Sequence, residues 1–250
     1  MKFLPTKWIA LALMALGLAG CSGNWGWYVV DPRLDAGWLN LRFLLSGYLY
    51  TILLSVTAFV ISFALGLMVA LPGISRRRGP RAFNRVYVEI VRSMPILVLI
   101  LWVYYGVAQG VGLSISVFWS GVIALAISDS AFQAEIFRAG IQSIDKGQYE
   151  AAHSISLSNA DTMRFIILPQ AIRRILPALG NQFVYVVKMS SLVSIIGYEE
   201  LTRKANELIV QEYRQFEIYT VLALEYLVLV LILSAGVRWL ERRMRTDERG

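Results

Sequence analysis

Charge is scarce in this chain, and cysteine and histidine are nearly missing. Only 16% of its 250 residues are charged, against about 25% in ordinary soluble domains. So little charge cannot cover the surface of a soluble globule of this length. The single cysteine, Cys21, excludes an intrachain disulfide framework. One histidine, His153, and that lone cysteine leave no cluster for a metal site and no nucleophile–base pair. No Gly-x-x-x-x-Gly-Lys-Ser/Thr stretch occurs, so ATP hydrolysis on a phosphate loop is excluded as well. These absences point away from an enzyme.

Apolar residues are what the chain has in excess. They make up 57% of it, the mean hydropathy is +0.57, and they gather in runs of about 20, the length needed to cross a bilayer as helix. An all-α polytopic membrane protein is expected, with five spans. They cover about Leu44–Leu71, Val86–Val107, Val117–Phe137, Ile175–Ile196 and Ile218–Val237. The first ends at Pro72-Gly73. A net charge of +7 could suggest nucleic acid, but the cations sit in short loops beside the spans, where they orient them. Arg76, Arg77, Arg78, Arg81 and Arg85 follow the first span, and the next loop, Ala108 to Ser116, has none. The loop after the third span holds Arg138, Lys146, Arg164, Arg173 and Arg174, and the tail holds Arg238, Arg242, Arg243, Arg245 and Arg249. The positive-inside rule puts these segments in the cytoplasm, with the amino end outside and the carboxyl tail inside.

The amino end agrees. Lys2 and Lys7 precede an apolar core, Trp8 to Leu18, too short for a comfortable span. Leu18-Ala19-Gly20-Cys21 resembles the lipobox of bacterial lipoprotein signals, which implies lipidation at Cys21. The alternative is an uncleaved signal anchor, and both place residue 22 outside the cytoplasm. The expected organisation is a signal or anchor at 1–21, a periplasmic interfacial segment at 22–43, a transmembrane domain at 44–240 and a cytoplasmic tail at 241–250. Trp25, Trp27, Tyr28 and Trp38 suit the headgroup region of the interfacial segment.

The loop at 141–168 is the most informative stretch. Three- and four-residue spacing puts Tyr149, Ala152, Ile155 and Ser156 on one face of a short helix spanning about Lys146 to Leu157. Ser158 with Asp161 three residues on is a capping-box-like start for a second short helix, which Pro169 should end. An alanine-rich knuckle can enter a narrow cleft, and Glu150 can meet a cation there. On these residues alone, an amphipathic helix pair packed on the protein's own spans is the favoured reading.

Gly147-Gln148-Tyr149-Glu150-Ala151-Ala152, then Ser156, then Leu168-Pro169-Gln170-Ala171 resembles the Glu-Ala-Ala loop of permease subunits in bacterial binding-protein-dependent ABC importers. The resemblance implies a type I importer permease fold in which Gly147, Glu150, Ala151, Ala152, Ser156, Leu168 and Pro169 belong to the loop that docks on a cytoplasmic ATPase dimer. That family usually has glycine where Ser156 stands and proline where Asp145 stands. Serine is expected to keep the turn close only if it needs no positive φ.

The flanks resemble the branch that imports polar amino acids. Arg92-Ser93-Met94-Pro95-Ile96-Leu97 matches its Arg-x-x-Pro-x-Leu start of the second span. Ala134-Glu135-Ile136-Phe137-Arg138-Ala139-Gly140 matches its third-span exit, and Lys188-Met189-Ser190-Ser191-Leu192 its fourth-span exit. Met189 replaces a residue usually polar or acidic. The resemblance implies further partners: a second permease copy or paralogue, a periplasmic solute-binding protein and a polar amino acid substrate. It implies no cofactor on this chain, since ATP and Mg would be used by the partner ATPase.

Charges inside spans usually face a partner or a wet cavity. Asp129 or Glu135 could meet a substrate ammonium and Lys188 its carboxylate, with Ser190 and Ser191 beside the path. The other outcome is mutual pairing, above all of Glu135 with Arg138, or of Lys188 with Asp129 or Glu225. An ion-gradient-driven secondary transporter or channel is the rival class. It would show inverted repeats or broken helices around a midplane site, and no self-similarity is visible.

Overall fold

The computed structural model describes residues 25–75, 77–107, 110, 112 and 114–244. Cys21, the signal segment and residues 245–250 lie outside them. Among the described residues every regular element is helical. A 3-10 turn at Trp27–Val30 precedes α1 (Asp35–Ile74), α2 (Arg78–Ser93), α3 (Ile96–Val107) and α4 (Val117–Gln142). The short α5 (Lys146–Ser154) leads to α6 (Asn159–Ile196), α7 (Leu201–Glu212) and α8 (Gln215–Met244). Helices α1, α4, α6 and α8 are each long and apolar enough to cross a membrane. The pair α2 and α3 passes as a fifth span only together, across a bend of 93°.

The continuous span expected over Val86–Val107 is thus two helices. Met94 and Pro95 have extended backbones, with ψ of 126° and 127°. Proline has no N–H to give and disfavours helix in the residue before it, so the chain turns there. The first span starts earlier than expected, at Asp35, and its 40 residues reach about 60 Å at 1.5 Å per residue. Part of the segment assigned to the outer interface is therefore the first turns of α1.

Helices α1 and α4 form the spine. Small residues carry the contact, because lipid tails supply little drive for association and close packing must supply it instead. Ala58, Ser62 and Ala70 of α1, and Ala124, Ala131 and Ala134 of α4, are fully covered. At Gly66 a Cβ would stand 2.8 Å from Cβ of Gln133 and 3.0 Å from the Ser130 carbonyl, so only glycine permits this approach. Apolar clusters sit on both sides of the seam. One gathers Leu54, Ile100, Val122, Leu125 and Val193. The other gathers Val69, Phe137, Ile144, Ile167 and Ala171 toward the α5 end.

Helix α6 does not stop at Pro169 as expected. Thr162–Ile167 winds as a π-helical turn, in which Leu168 N–H bonds to the Met163 carbonyl, and α-helix resumes at Leu168. A wider turn ahead of the proline accommodates a residue that offers no N–H, so helix passes through. The start is as expected: Ser158 caps it, its Oγ accepting from Asp161 N–H at 3.1 Å and donating to Asp161 Oδ2 at 2.6 Å.

The end of α5 differs from expectation in a way that matters. Leu157 N–H bonds to the Ala152 carbonyl at 3.1 Å and Ser156 N–H to the His153 carbonyl at 2.9 Å. Together they make a Schellman cap, whose penultimate residue must be left-handed. That residue is Ser156, at φ 57°. The position therefore does need positive φ, and serine adopts it at a cost. The reversal also takes Ile155 and Ser156 off the face shared by Tyr149 and Ala152. Ala152 is buried, whereas Ile155 is 71% exposed.

At the opposite end, Gly197 at φ 94° closes α6 and delivers the chain to a buried carboxylate. Glu200 caps α7, accepting from Arg203 N–H at 2.8 Å and from the Tyr226 hydroxyl of α8 at 2.7 Å. Burial pushes its carboxyl up to about 7, against the pull of these hydrogen bonds.

Two outcomes are expected. A left-handed backbone costs an L-residue roughly 1–2 kcal/mol, of which glycine's greater unfolded freedom cancels about 0.4–1. Ser156→Gly should accordingly slow hydrogen exchange at the Leu157 amide, and Ser156→Val should speed it about tenfold. Equal exchange in all three proteins would mean the cap does not depend on Ser156. For Glu200, the folded carboxyl titrates near 7 and the unfolded one near the ordinary 4.5. Its stabilising contribution is complete below the unfolded value and is lost as pH rises through the folded one. Purified protein in detergent should lose melting temperature from pH 5 to pH 8, and Glu200→Gln should flatten that slope. A slope unchanged by the substitution would assign the pH dependence to other groups.

Candidate functional site

The loop that the sequence singles out is held from both sides. On the α4 side, Arg174 of α6 donates through Nη1 to the Ser143 carbonyl at 2.6 Å and to Ser143 Oγ at 3.1 Å. On the α6 side, Gln170 Nε2 donates to Gln148 Oε1 at 3.1 Å. Asp145 caps α5 through Gly147 N–H at 2.7 Å, doing by side-chain acceptance what a proline there could not. Tyr149 packs half-buried on the cluster of Ile144, Ile167 and Ala171, and Ala152 is fully covered.

What faces outward is the rest of the knuckle. Gly147, Glu150, Ala151, His153 and Ser156 are exposed, as are Leu168 and Pro169 on α6. The Glu150 carboxylate meets no cation among the described residues. Small residues, the Glu150 carboxylate and Ile155 make up the exposed outer side of the knuckle.

The charges within the spans fall into separate places. Asp129 is buried on α4 and is held by neutral donors from three helices. Ser62 of α1 donates to Oδ2, Gln133 of α4 donates to Oδ2 at 2.6 Å, and Gln182 of α6 donates to Oδ1 at 2.6 Å. Gln133 Nε2 also reaches Ser62 Oγ at 2.6 Å. Sequence reading passed over these three partners. The signal was the glutamine one turn after Asp129 on an otherwise apolar helix.

Lys188 looks elsewhere. It is exposed and, with Ser191, Ala223, Tyr226 and Leu227, lines a shallow hollow of about 360 Å³ between α6 and α8. Among the described residues its ammonium meets no carboxylate, so Asp129 and Lys188 do not form a pair. Ser190 and Ser191 each turn their hydroxyl back on the helix, to the carbonyls of Val187 and Lys188, both at short range. These bonds mark the place where α-helix tightens to 3-10. Glu225 of α8 is buried with neither carboxylate oxygen partnered. Glu135 is paired with Arg138, at 2.6 Å and 3.0 Å. No group of three or more metal-ligating side chains occurs among the described residues.

Comparisons place this arrangement. Residues 62–246 match the family described as the binding-protein-dependent transport system inner membrane component. A probable glutamine ABC transporter permease protein, GlnM of Bacillus subtilis, is 40% identical over 82% of this chain and 94% of its own length. The glutamine transport system permease protein GlnP of Escherichia coli K12 is 37% identical over 84% of this chain and 97% of its own. Among solved structures, an amino acid ABC transporter with histidines superposes with a TM-score of 0.78. It is 42% identical and covers 81% of this chain and 94% of its own. An inward-facing MetNI methionine ABC transporter superposes at 0.70 with 19% identity over 82% and 97%, which supports the fold alone. The chain belongs to the binding-protein-dependent transport system inner membrane components, as a permease subunit of an ABC importer.

Proposed function

We propose that this permease carries a polar amino acid, with glutamine the first candidate, and that α5 is its coupling surface to an ATPase dimer. The substrate reading is supported by the two glutamine permeases and by the amino acid transporter structure that it resembles. One observation carries the coupling role: a short helix anchored by Tyr149 and Ala152 while Glu150 and Ile155 stay uncovered. The chain forms half of a transmembrane dimer with a second copy or a related permease. A periplasmic binding protein delivers the substrate, and the ATPase uses ATP and Mg. The permease itself performs no covalent chemistry.

Charge sets the orientation. The end of the bundle where α1 finishes, α2 begins and α5 lies carries the arginine-rich segments, so it faces the cytoplasm. Glu200 and α7 then lie on the periplasmic side. Cys21, in this reading, lies on the outer side whether or not it is processed. Asp129 with its amide and hydroxyl donors is the candidate for the substrate path within the bundle, and Glu135, Ser190, Ser191 and Lys188 stand apart from it.

Reconstitution with an ATPase and a binding protein tests the reading, with labelled glutamine as substrate. ATP-driven uptake is expected. Uptake that runs on an ion gradient without ATP would establish the rival class. Glu150→Lys should reduce uptake at least tenfold while the protein still inserts, because reversing one member of a desolvated charge pair costs several kcal/mol, of order 3–5. Normal uptake with normal transport-stimulated ATP hydrolysis would remove the docking role. Single cysteines at Arg77 and in the tail should be shielded from an impermeant thiol reagent in intact cells, and cysteines at Glu212 and Tyr213 should react. Labelling of the tail from outside would reverse the orientation.

A further inference from the structure

A cavity of about 730 Å³ opens between α1, α2 and α4 at the end of the bundle that carries α5. Its floor is fixed. Asn84 of α2 is buried and donates from Nδ2 to the Val69 carbonyl of α1 at 2.8 Å, and a Cβ on Gly73 would stand 2.7 Å from the Asn84 side chain. The two helices cannot come closer without losing that bond. The space is a property of the packing.

Its walls carry both signs of charge. Arg85, Glu89 and Arg92 lie at four- and three-residue spacing on one face of α2, and all three line the cavity. Glu135 and Arg138 face them from α4 and satisfy each other. The α2 groups are different. Among the described residues Arg85, Glu89 and Arg92 form no close ion pair, although helix spacing would allow them to pair and the Arg92 charge is felt by Glu135 across the cavity. The Arg92 guanidinium stands 4.9 Å from the centroid of the Phe132 ring of α4, which holds it up against the cavity wall. One face thus offers a placed guanidinium and an unspent carboxylate a single helical turn apart.

A phosphate or an anionic phospholipid headgroup would be drawn to the arginines and repelled by Glu89. A cation would have the reverse difficulty. A molecule with a carboxylate and an ammonium on one carbon suits both groups at once. We propose that this cavity is a release-side subsite for the amino acid cargo, Arg92 taking the α-carboxylate and Glu89 the α-ammonium. Arginine's planar fork suits a carboxylate in two-point contact. The volume, within the range of about 300–1,000 Å³ usual for small-molecule sites, admits a side chain of varied size. Such a subsite reads the part that all amino acids share, and leaves side-chain selection to other places. The inference rests on the amino acid importer reading and on its orientation.

The test is equilibrium binding to the nucleotide-free permease–ATPase complex in nanodiscs, without binding protein. The probe is labelled glutamine or histidine, whichever the complex transports with its binding protein. Competitors are the same amino acid with its carboxylate reduced to the alcohol, and with its amine acetylated. Wild type should bind the parent at least tenfold tighter than either competitor. Arg92→Gln should weaken the parent about tenfold or more and leave the alcohol unchanged, and Glu89→Gln should do the same with the acetylated compound spared. Selective loss cannot come from misfolding, and Glu89 lies on an exposed face where its substitution is tolerated. Unchanged parent binding in both variants overturns the assignment. So does unchanged binding accompanied by loss of co-purified phosphatidylglycerol from Arg92→Gln, which would give the cavity to a lipid. Failure of the wild-type complex to transport any polar amino acid overturns the importer reading instead, so the two failures are distinct.

Discussion

A carboxylate inside a bilayer-spanning bundle must have its lone pairs filled or give up its charge, and the way Asp129 is filled organises this protein. Its donors come from α1, α4 and α6, through Ser62, Gln133 and Gln182. All are neutral, so the site does not bring a second charge into the membrane. The same residues set the spacing of the spine. Gln133, which grips Asp129, is the side chain whose Cβ lies against Gly66, and that contact fixes how near α1 and α4 approach. A larger residue at Gly66 would push Gln133 away and weaken the network that ties in α6. Small-residue packing and polar satisfaction are one constraint here.

Some departures from regular helix fall where function is proposed, while the π-helical Trp102–Val107 and the left-handed Tyr213 lie elsewhere. The 93° bend at Pro95 turns the apolar α3 away from the arginine-bearing α2, and so frees one face of α2 to line a cavity. A π-helical turn sits under α5, and the left-handed Ser156 ends it. Each exception costs backbone energy that regular helix would not. Packing around each one holds it in place.

The sequence shows the spans clearly, because a run of about 20 apolar residues has few other uses. It shows the knuckle too, because Ser158 and Asp161 announce a cap. What it hides is tertiary. Proline at 95 and proline at 169 look alike on paper, and one breaks its helix while the other is absorbed by a π turn set up by the preceding residues. Ser156 gives no sign of its positive φ until two hydrogen bonds to Ala152 and His153 are seen. The charges were legible as important, and the Glu135–Arg138 pair was legible from its spacing, but the partners of the others were not. Asp129 and Lys188 suggest a pair by sign and depth, yet they point to different helices, since the rotation of α6 is set by packing over its whole length. Glutamine carries no alarm in a sequence, and two glutamines do the work expected of a counter-ion.

The anchoring of α5 constrains how any force on it can spread. It is tied to α6 through Gln148–Gln170, with Tyr149 packed on the apolar cluster and Ala152 buried, while the Ser143–Arg174 bonds join the end of α4 to α6 beside it. A displacement of the knuckle therefore moves the ends of α4 and α6 together or breaks polar bonds and opens apolar surface. Both helices converge again at Asp129 and Gln182, where a shear between them would strip a buried carboxylate of a donor. That is far costlier than bending the peripheral α8, most of whose apolar surface is exposed. Since Ser62 and the Gly66 contact bind α1 into the same network, α1, α4 and α6 are the elements held most firmly together.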